Sequence, residues 1–250
     1  MSEQKIEGEG TAESDWLTWL SRRHVQRLTA QEIFAGNRRL VVVAPHPDDE
    51  ILACGGLLAL SAKANFPVVV VAVTDGEASH GRADGHRRSA LGEQRAHERR
   101  AGLVQLGIDP ACVVRLKIAD GGVAQKINQI FRQLNHLLQL EDVVVTTWSK
   151  DGHPDHEATA QAVRLTGCKL LQAPVWMWHW AKPADRKIPW ANLVATELTD
   201  SAVQAKQNAL AQHHSQLARC NSQPEPVLLP SIVERSARRH EYFFMCSDFP

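Results

Sequence analysis

Two kinds of hydrophobic pattern alternate along this chain from residue 40 onward. Residues 40–44, 68–74, 112–116, 143–147 and 170–176 are mostly apolar without polar alternation, as strands are when both faces of a sheet are covered. Between them, residues 50–64, 89–106, 123–139 and 156–165 carry helix-length patterns. The order β-α-β-α predicts an α/β fold, a single Rossmann-like domain whose mainly parallel sheet has helices on both faces. A last apolar run, residues 242–246, reads as one more strand, and residues 76–85 and 223–230 read as connections. In open sheets of this kind ligands bind beyond the carboxyl ends of the strands, where loops lead into helices. The active site is expected there.

Residues 1–13 are small, polar and acidic, the composition of a disordered tail. Ser14 and Asp15 then cap a helical pattern running through Trp16, Leu17, Leu20 and Val25, which reads as an addition to the surface. The chain divides accordingly into a tail with a surface helix, residues 1–38, and a catalytic domain, residues 39–250.

Composition removes several function classes. Lys and Arg together number 28, as do Asp and Glu, so no charge excess points to a nucleic acid, a membrane surface or a polyanion. The longest apolar runs fall far short of the roughly 20 residues that span a bilayer, and no span is expected. The first residues lack the apolar stretch of a secretory signal, which suggests a cytoplasmic protein. Five scattered cysteines, Cys54, Cys112, Cys168, Cys220 and Cys246, form no C-x-x-C pair and read as reduced thiols in or near the core.

Two clusters carry chemistry. The run Pro45-His46-Pro47-Asp48-Asp49-Glu50 follows the first strand and opens a helix. Imidazole and carboxylate both bind zinc, and a catalytic zinc keeps one position for water. His46 and Asp49 are spaced to share one metal across the turn, with Asp48 near enough to accept a proton. The competing reading is that the three acids cap the helix and complement its dipole. The run His153-Pro154-Asp155-His156 follows the strand at 143–147. One of its imidazoles can supply a third ligand while the other acts on a carbonyl or a departing nitrogen. H-x-x-H alone is weak in a chain with 12 histidines. Two such clusters at two strand ends of one parallel sheet converge on one crevice, which favours a metal site.

These blocks resemble those of the LmbE-like, or PIG-L-like, deacetylases, whose members carry His-Pro-Asp-Asp-Glu and His-Pro-Asp-His. The resemblance extends to Thr74-Asp75-Gly76-Glu77, to Arg95 and Glu98 leading to Leu106-Gly107, to Asp120-Gly121, and to Lys206, Ala209-Leu210, His213 and Ser215-Gln216. It implies Zn2+ held by His46, Asp49 and His156, Asp48 as general base, and His153 stabilising the tetrahedral intermediate and protonating the leaving amine. Asp155 would orient a neighbouring histidine, and Arg95 and Asp120 would contact the substrate. The bare sequence offers Arg95 an alternative as one solvated charge, paired with Glu93 or Glu98, on a strongly charged helix. It offers Asp120 one as a turn residue before two glycines. The segment from Lys206 to Gln216 reads as a brace for the sheet edge or a lid, outside the catalytic set. Gly102 stands where relatives often have Ala.

The implied activity is removal of an N-acyl group, in the first place acetyl, from an amino sugar or glycoconjugate, a small-molecule substrate. Its rivals are an amidase acting on another amide such as a sugar-thiol conjugate, and a carbohydrate-binding protein without turnover. A nucleotide-binding role is disfavoured because no G-x-G-x-x-G or P-loop follows a strand. Another divalent ion could replace zinc in such a donor set. Trp176, Trp178 and Trp180 alternate after a strand and read as core, as the contact of a homo-oligomer, or as a sugar-stacking wall.

Overall fold

The computed structural model describes residues 8, 10–79, 85–219 and 225–245. The N-terminal elements are α1 (Glu13–Ser21), β1 (Gln26–Arg27) and α2 (Ala30–Phe34), followed by β2 (Arg39–Ala44), α3 (Asp49–Lys63), β3 (Val68–Ala72), α4 (Gly85–Gln105) and β4 (Val113–Arg115). Then come α5 (Ile127–Leu137), β5 (Asp142–Thr147), α6 (Pro154–Arg164), β6 (Lys169–Ala173) and α7 (Met177–Trp180). The chain ends with β7 (Leu193–Glu197), α8 (Asp200–Leu210), α9 (His214–Leu217), α10 (Pro230–Arg235) and β8 (His240–Met245).

Among the described residues eight strands form one sheet in the order β1-β7-β8-β6-β5-β2-β3-β4, parallel except for β8, which runs antiparallel to both β6 and β7. The central pair is β2 and β5, in register from Arg39 against Asp142 to Val43 against Thr146. The chain continues from β2 outward through β3 and β4, and from β5 outward through β6 on the other side. The strand order therefore reverses between β2 and β5, and the crevice of an α/β sheet lies at such a reversal.

The unbroken apolar runs follow from cover on both faces. On β2, Leu40 and Val42 join the core under α3, while Val41 and Val43 join the core under α5 and α6. Strand β5 does the same with Val143 and Val145 against Val144. Alternate residues point to opposite faces, so two cores need an apolar residue at each position. The run at 170–176 ends early as a strand, at Ala173, because Pro174 has no N–H for the ladder and the next three amides, of Val175, Trp176 and Met177, turn to the Asp151 carboxylate.

The N-terminal region differs from its sequence reading. Helix α1 starts at Glu13 with Ala12 as its cap residue, so Ser14 and Asp15 lie inside it. Its outer face, with Ser14, Asp15, Leu17 and Thr18, is exposed, and its inner face packs into the fold. Trp16 is completely buried in a third apolar cluster with Trp148, Met177, Trp178, Ile188 and Phe244, and its Nε1 donates to Trp178 O at 2.7 Å. Thr11 and Glu13, expected in a tail, are also buried, with the Glu13 carboxylate holding the Arg238 guanidinium through two 2.6 Å bonds. Trp16 and Leu20 are the buried apolar residues of this helix, with Trp19 packed beside them; the periodicity shows such a face but not what covers it. Of the other positions in the tail reading, Gly8, Gly10 and Ala12 are exposed, and residues 1–7 and 9 lie outside the described residues.

Cys54 is buried, Cys112 and Cys168 are half-buried, and all three are free; Cys220 and Cys246 lie outside the described residues. Among the described residues no helix is long and apolar enough to cross a membrane.

Candidate metal centre

The first cluster leaves β2 through Pro45 and enters α3. Cys54 breaks that helix with φ −152° and ψ 30°, and the amides freed beyond the break are taken by Glu241 on β8, at 2.7 Å from Gly56 N and 2.8 Å from Leu57 N. Lys206 of α8 neutralises that buried carboxylate at 2.7 Å and reaches Leu52 O at 3.2 Å. The brace expected of this segment thus acts on the break in α3, whose first turn carries Asp49 and Glu50.

At the start of α3, Asp48 adopts φ 130°, a backbone conformation costing an L residue on the order of 1–3 kcal/mol and concentrated at functional sites. Its side chain makes no capping bond to the helix, so the capping explanation of the acidic run does not hold for Asp48. The carboxylate is buried and accepts a 2.5 Å hydrogen bond from Gln216 Nε2. Burial, followed by the charge of Asp49, raises its pKa well above the usual carboxylate value.

Asp49 Oδ2 lies 3.2 Å from His46 Nδ1 and 3.2 Å from His156 Nε2. The second cluster supplies His156 from α6, and Asp151 fixes its tautomer by receiving Nδ1 at 2.8 Å. Nε2 is left buried without a hydrogen-bond partner. A ring nitrogen whose counterpart is held by a carboxylate, facing another carboxylate, is how histidine is prepared for a metal. Burial disfavours a charged His156, yet Asp49 and Asp151 outweigh it and raise its pKa to about 9. The surroundings therefore favour a cation, a requirement that a proton or a divalent ion satisfies. The ring nitrogens of His46, His153 and His156 also lie within 4.8 Å of one another, as do His46, Asp120 and Asp155 donor atoms. Nitrogen and carboxylate donors in this number suit zinc and the ions near it.

The other sequence candidates are placed as follows. Asp155 Oδ2 lies 3.3 Å from His46 Nε2 and accepts Gly121 N at 2.8 Å. Asp120 Oδ1 is 3.3 Å from the same His46 nitrogen and its Oδ2 accepts Ala78 N at 2.9 Å; burial works against its charge, but His46 and these bonds bring its pKa down to about 2. Arg95 is not a solvated charge. It is 1% exposed, its Nη1 donates to Gly76 O at 2.8 Å, and its Nε and Nη2 have no hydrogen-bond partner. Glu93 pairs instead with Arg115, and Glu98 holds Ser215. Gly76, at φ +68°, admits this arrangement because a Cβ there would stand 2.6 Å from Arg95 Nη1.

His153 sits at the N-cap of α6 with Nδ1 accepting Asp155 N at 3.2 Å. Burial, with His156 and His46 beside it, lowers its pKa to about 3. With Nδ1 accepting, the ring proton of a neutral His153 lies on Nε2.

Sequence reasoning missed two residues. Asp151 stands in the loop after β5 and gathers His156 together with the amides of Val175, Trp176 and Met177; an aspartate just before His-x-x-His is its only cue in the sequence. Gln216 was set aside with its helix and lies against Asp48. The three tryptophans do not share a face, because the chain turns into α7 there. Trp178 is core, Trp180 donates its Nε1 to Asp151 O at 2.7 Å, and Trp176 alone lines the cavity.

His46, Asp48, Asp49, Arg95, Asp120, His153, His156, Trp176 and Gln216 surround one open cavity of about 270 Å³, at the reversal between β2 and β5. The class defined here is an α/β protein with a histidine and carboxylate centre at the carboxyl ends of its central strands. Residues 41–166 match the model of the PIG-L family, described as GlcNAc-PI de-N-acetylase, and the chain belongs to that family. Solved structures of the same fold include a teicoplanin-pathway deacetylase, 18% identical with TM-score 0.62 over 84% of this chain and 99% of that one. The pseudoaglycone deacetylase of an antimicrobial reagent is 20% identical with TM-score 0.60, over 84% and 97%. The N,N'-diacetylchitobiose deacetylase of Pyrococcus horikoshii is 17% identical with TM-score 0.57, over 85% and 82%. No curated protein matches the sequence.

Proposed function

We propose that this chain is a zinc-dependent hydrolase that removes an N-acyl group, most simply acetyl, from an amino sugar or glycoconjugate. The observation that carries the reading is the meeting of His46 Nδ1 and His156 Nε2 on Asp49 Oδ2, at 3.2 Å each, beside a buried Asp48 that caps nothing. His46, Asp49 and His156 are the proposed ligands. Zinc held there would supply Lewis-acid polarisation of the acyl carbonyl and make water easier to deprotonate.

The protein's own groups complete the reaction. Asp48 takes the proton from water as it attacks the carbonyl carbon, and its raised proton affinity lets it return that proton to the departing nitrogen as the C–N bond breaks. His153 donates its Nε2–H to the carbonyl oxygen as negative charge develops. Asp155 holds the ring of His46 through Nε2. Arg95 and Asp120 line the cavity as polar contacts for the substrate, with free guanidinium N–H groups of Arg95 available to hydroxyl or carbonyl oxygens.

The naming of three structural relatives as deacetylases supports the acyl part of this reading, and the family description supports the amino sugar. A panel of N-acetylated amino sugars and conjugates, including a sugar-thiol conjugate, assayed for free amine and for acetate, tests both. Amine and acetate released together, and lost on chelation, are expected. Amine released without acetate would move the assignment to a different amide, and binding without release would leave a carbohydrate-binding protein.

A further inference from the structure

Beyond the metal donors, one chain of buried polar contacts stands apart. Gln216 of α9 and His213 just before it are almost completely buried, 1% and 0% exposed. Gln216 Nε2 lies 2.5 Å from Asp48 Oδ2, and Gln216 Oε1 lies 3.1 Å from His213 Nδ1. We infer that His213, acting through Gln216, fixes the orientation of the Asp48 carboxylate and thereby selects Oδ1 as the oxygen that takes the proton. The inference rests on the reading of Asp48 as the base.

Donors and acceptors fix the order of this chain of contacts. In the ionised form that acts as base, the Asp48 carboxylate only accepts, so the end of the Gln216 amide facing it must be nitrogen. The oxygen end then faces His213 Nδ1, which must carry the ring proton. If the proton were on Nε2 instead, Nδ1 would be an acceptor. The amide would gain by rotating, and its oxygen would be pushed against the Asp48 carboxylate. The tautomer of a histidine that touches no metal donor thus decides whether the base is gripped or repelled.

The surroundings agree with the Nδ1–H form. Burial lowers the pKa of His213, so the ring is neutral and has one proton to place. Its Nε2 has no hydrogen-bond partner and abuts Gly102 of α4, where a Cβ would stand 3.2 Å from it and 3.1 Å from Ala209 O. Gly102 provides the room in which the ring lies. With Oδ2 gripped, Oδ1 is the oxygen left to receive a proton, and water in the cavity meets one acceptor in one orientation. His213 and Gln216 are positioning residues, since neither needs to touch substrate.

Nitrogen-15 NMR of histidine-labelled protein reads the tautomer directly and does not depend on activity. The expected result is His213 as neutral Nδ1–H in the wild type and a shift toward mixed tautomers in Gln216→Leu. Neutral Nε2–H in the wild type would overturn the inference. Turnover of the best N-acetylated sugar, at matched zinc content, gives a second reading. Gln216→Leu should lower kcat about 10²-fold with KM within about threefold, the scale expected for a misplaced reacting group. His213→Asn, whose amide N–H can replace Nδ1–H, should stay within about tenfold of wild type. His213→Phe keeps the ring and lacks the donor, and should fall with Gln216→Leu. A purely structural His213 predicts the opposite order, Phe above Asn, and that order would overturn the inference. A wild type inert on every sugar would sink the proposed function while the NMR result still decides the contact chain.

Discussion

The cavity at the ends of β2 and β5 and the tryptophan-rich cluster behind α7 are neighbours, and they treat polar groups in opposite ways. In the tryptophan cluster the indoles find acceptors: Trp16 donates to Trp178 O, Trp180 to Asp151 O and Trp190 to Asp185 O. In the cavity His156 Nε2 and Arg95 Nε and Nη2 are buried without a hydrogen-bond partner, and Asp48 is held at φ 130°. An unpaired buried polar group costs about 1–3 kcal/mol, so such a site is retained for something other than stability. The first region minimises the free energy of the fold, whereas the second keeps groups ready for a ligand. Asp151 belongs to both, since its carboxylate holds His156 and the amides that begin α7.

The sharpest way to separate the regions is to damage each and read both activity and stability. Asp48→Asn should reduce turnover of an N-acetylated sugar by about 10²- to 10⁴-fold, the range for loss of a general base. It should also raise the stability of the metal-free protein by about 1 kcal/mol, because it removes a buried charge beside Asp49 and stability and activity conflict at such sites. Denaturant unfolding and kcat measured on the same preparation check both signs.

Trp16→Ala should do the reverse. Loss of a fully buried indole costs about 3–5 kcal/mol, read as a lower unfolding midpoint, while kcat per folded molecule stays as in wild type. A parallel fall in kcat would join the two regions into one.

Asp151→Asn tests the shared residue. Its amide has one acceptor oxygen, so it cannot serve both the His156 Nδ1–H and Trp176 N–H, held by Oδ2, and the Val175 and Met177 N–H groups, held by Oδ1. Zinc affinity should fall about 10- to 100-fold, the usual effect of removing the partner of a ligating histidine, as measured by competition with a chromophoric chelator. The smallest effect is expected of Trp190→Phe. Loss of its hydrogen bond to Asp185 O should cost about 1 kcal/mol and leave zinc affinity and kcat unchanged.

What was legible in the sequence was what depends on neighbours in the chain. Unbroken apolar runs announced strands β2, β3 and β5, and the motifs directly after β2 and β5 announced the crevice. Strand β7 escaped, since Leu193–Glu197 is short and mixed, and β1 is only two residues long. The burial of α1 escaped because its position depends on Trp178, 162 residues away from Trp16. Asp151 and Gln216 escaped for a similar reason: an aspartate in a loop and a glutamine on a short helix have no periodicity, and their value lies in the atoms the fold brings to them. Arg95 was ambiguous because a charged helix looks solvated until one of its faces is covered.

Zinc binding by the metal-free protein, titrated in parallel with His156→Ala and Asp49→Ala, tests the central claim that the two clusters meet on one ion. The account predicts one equivalent of zinc bound tightly by the wild type, with affinity reduced by several orders of magnitude in each variant although both remain folded. Equal affinity in wild type and both variants would contradict it.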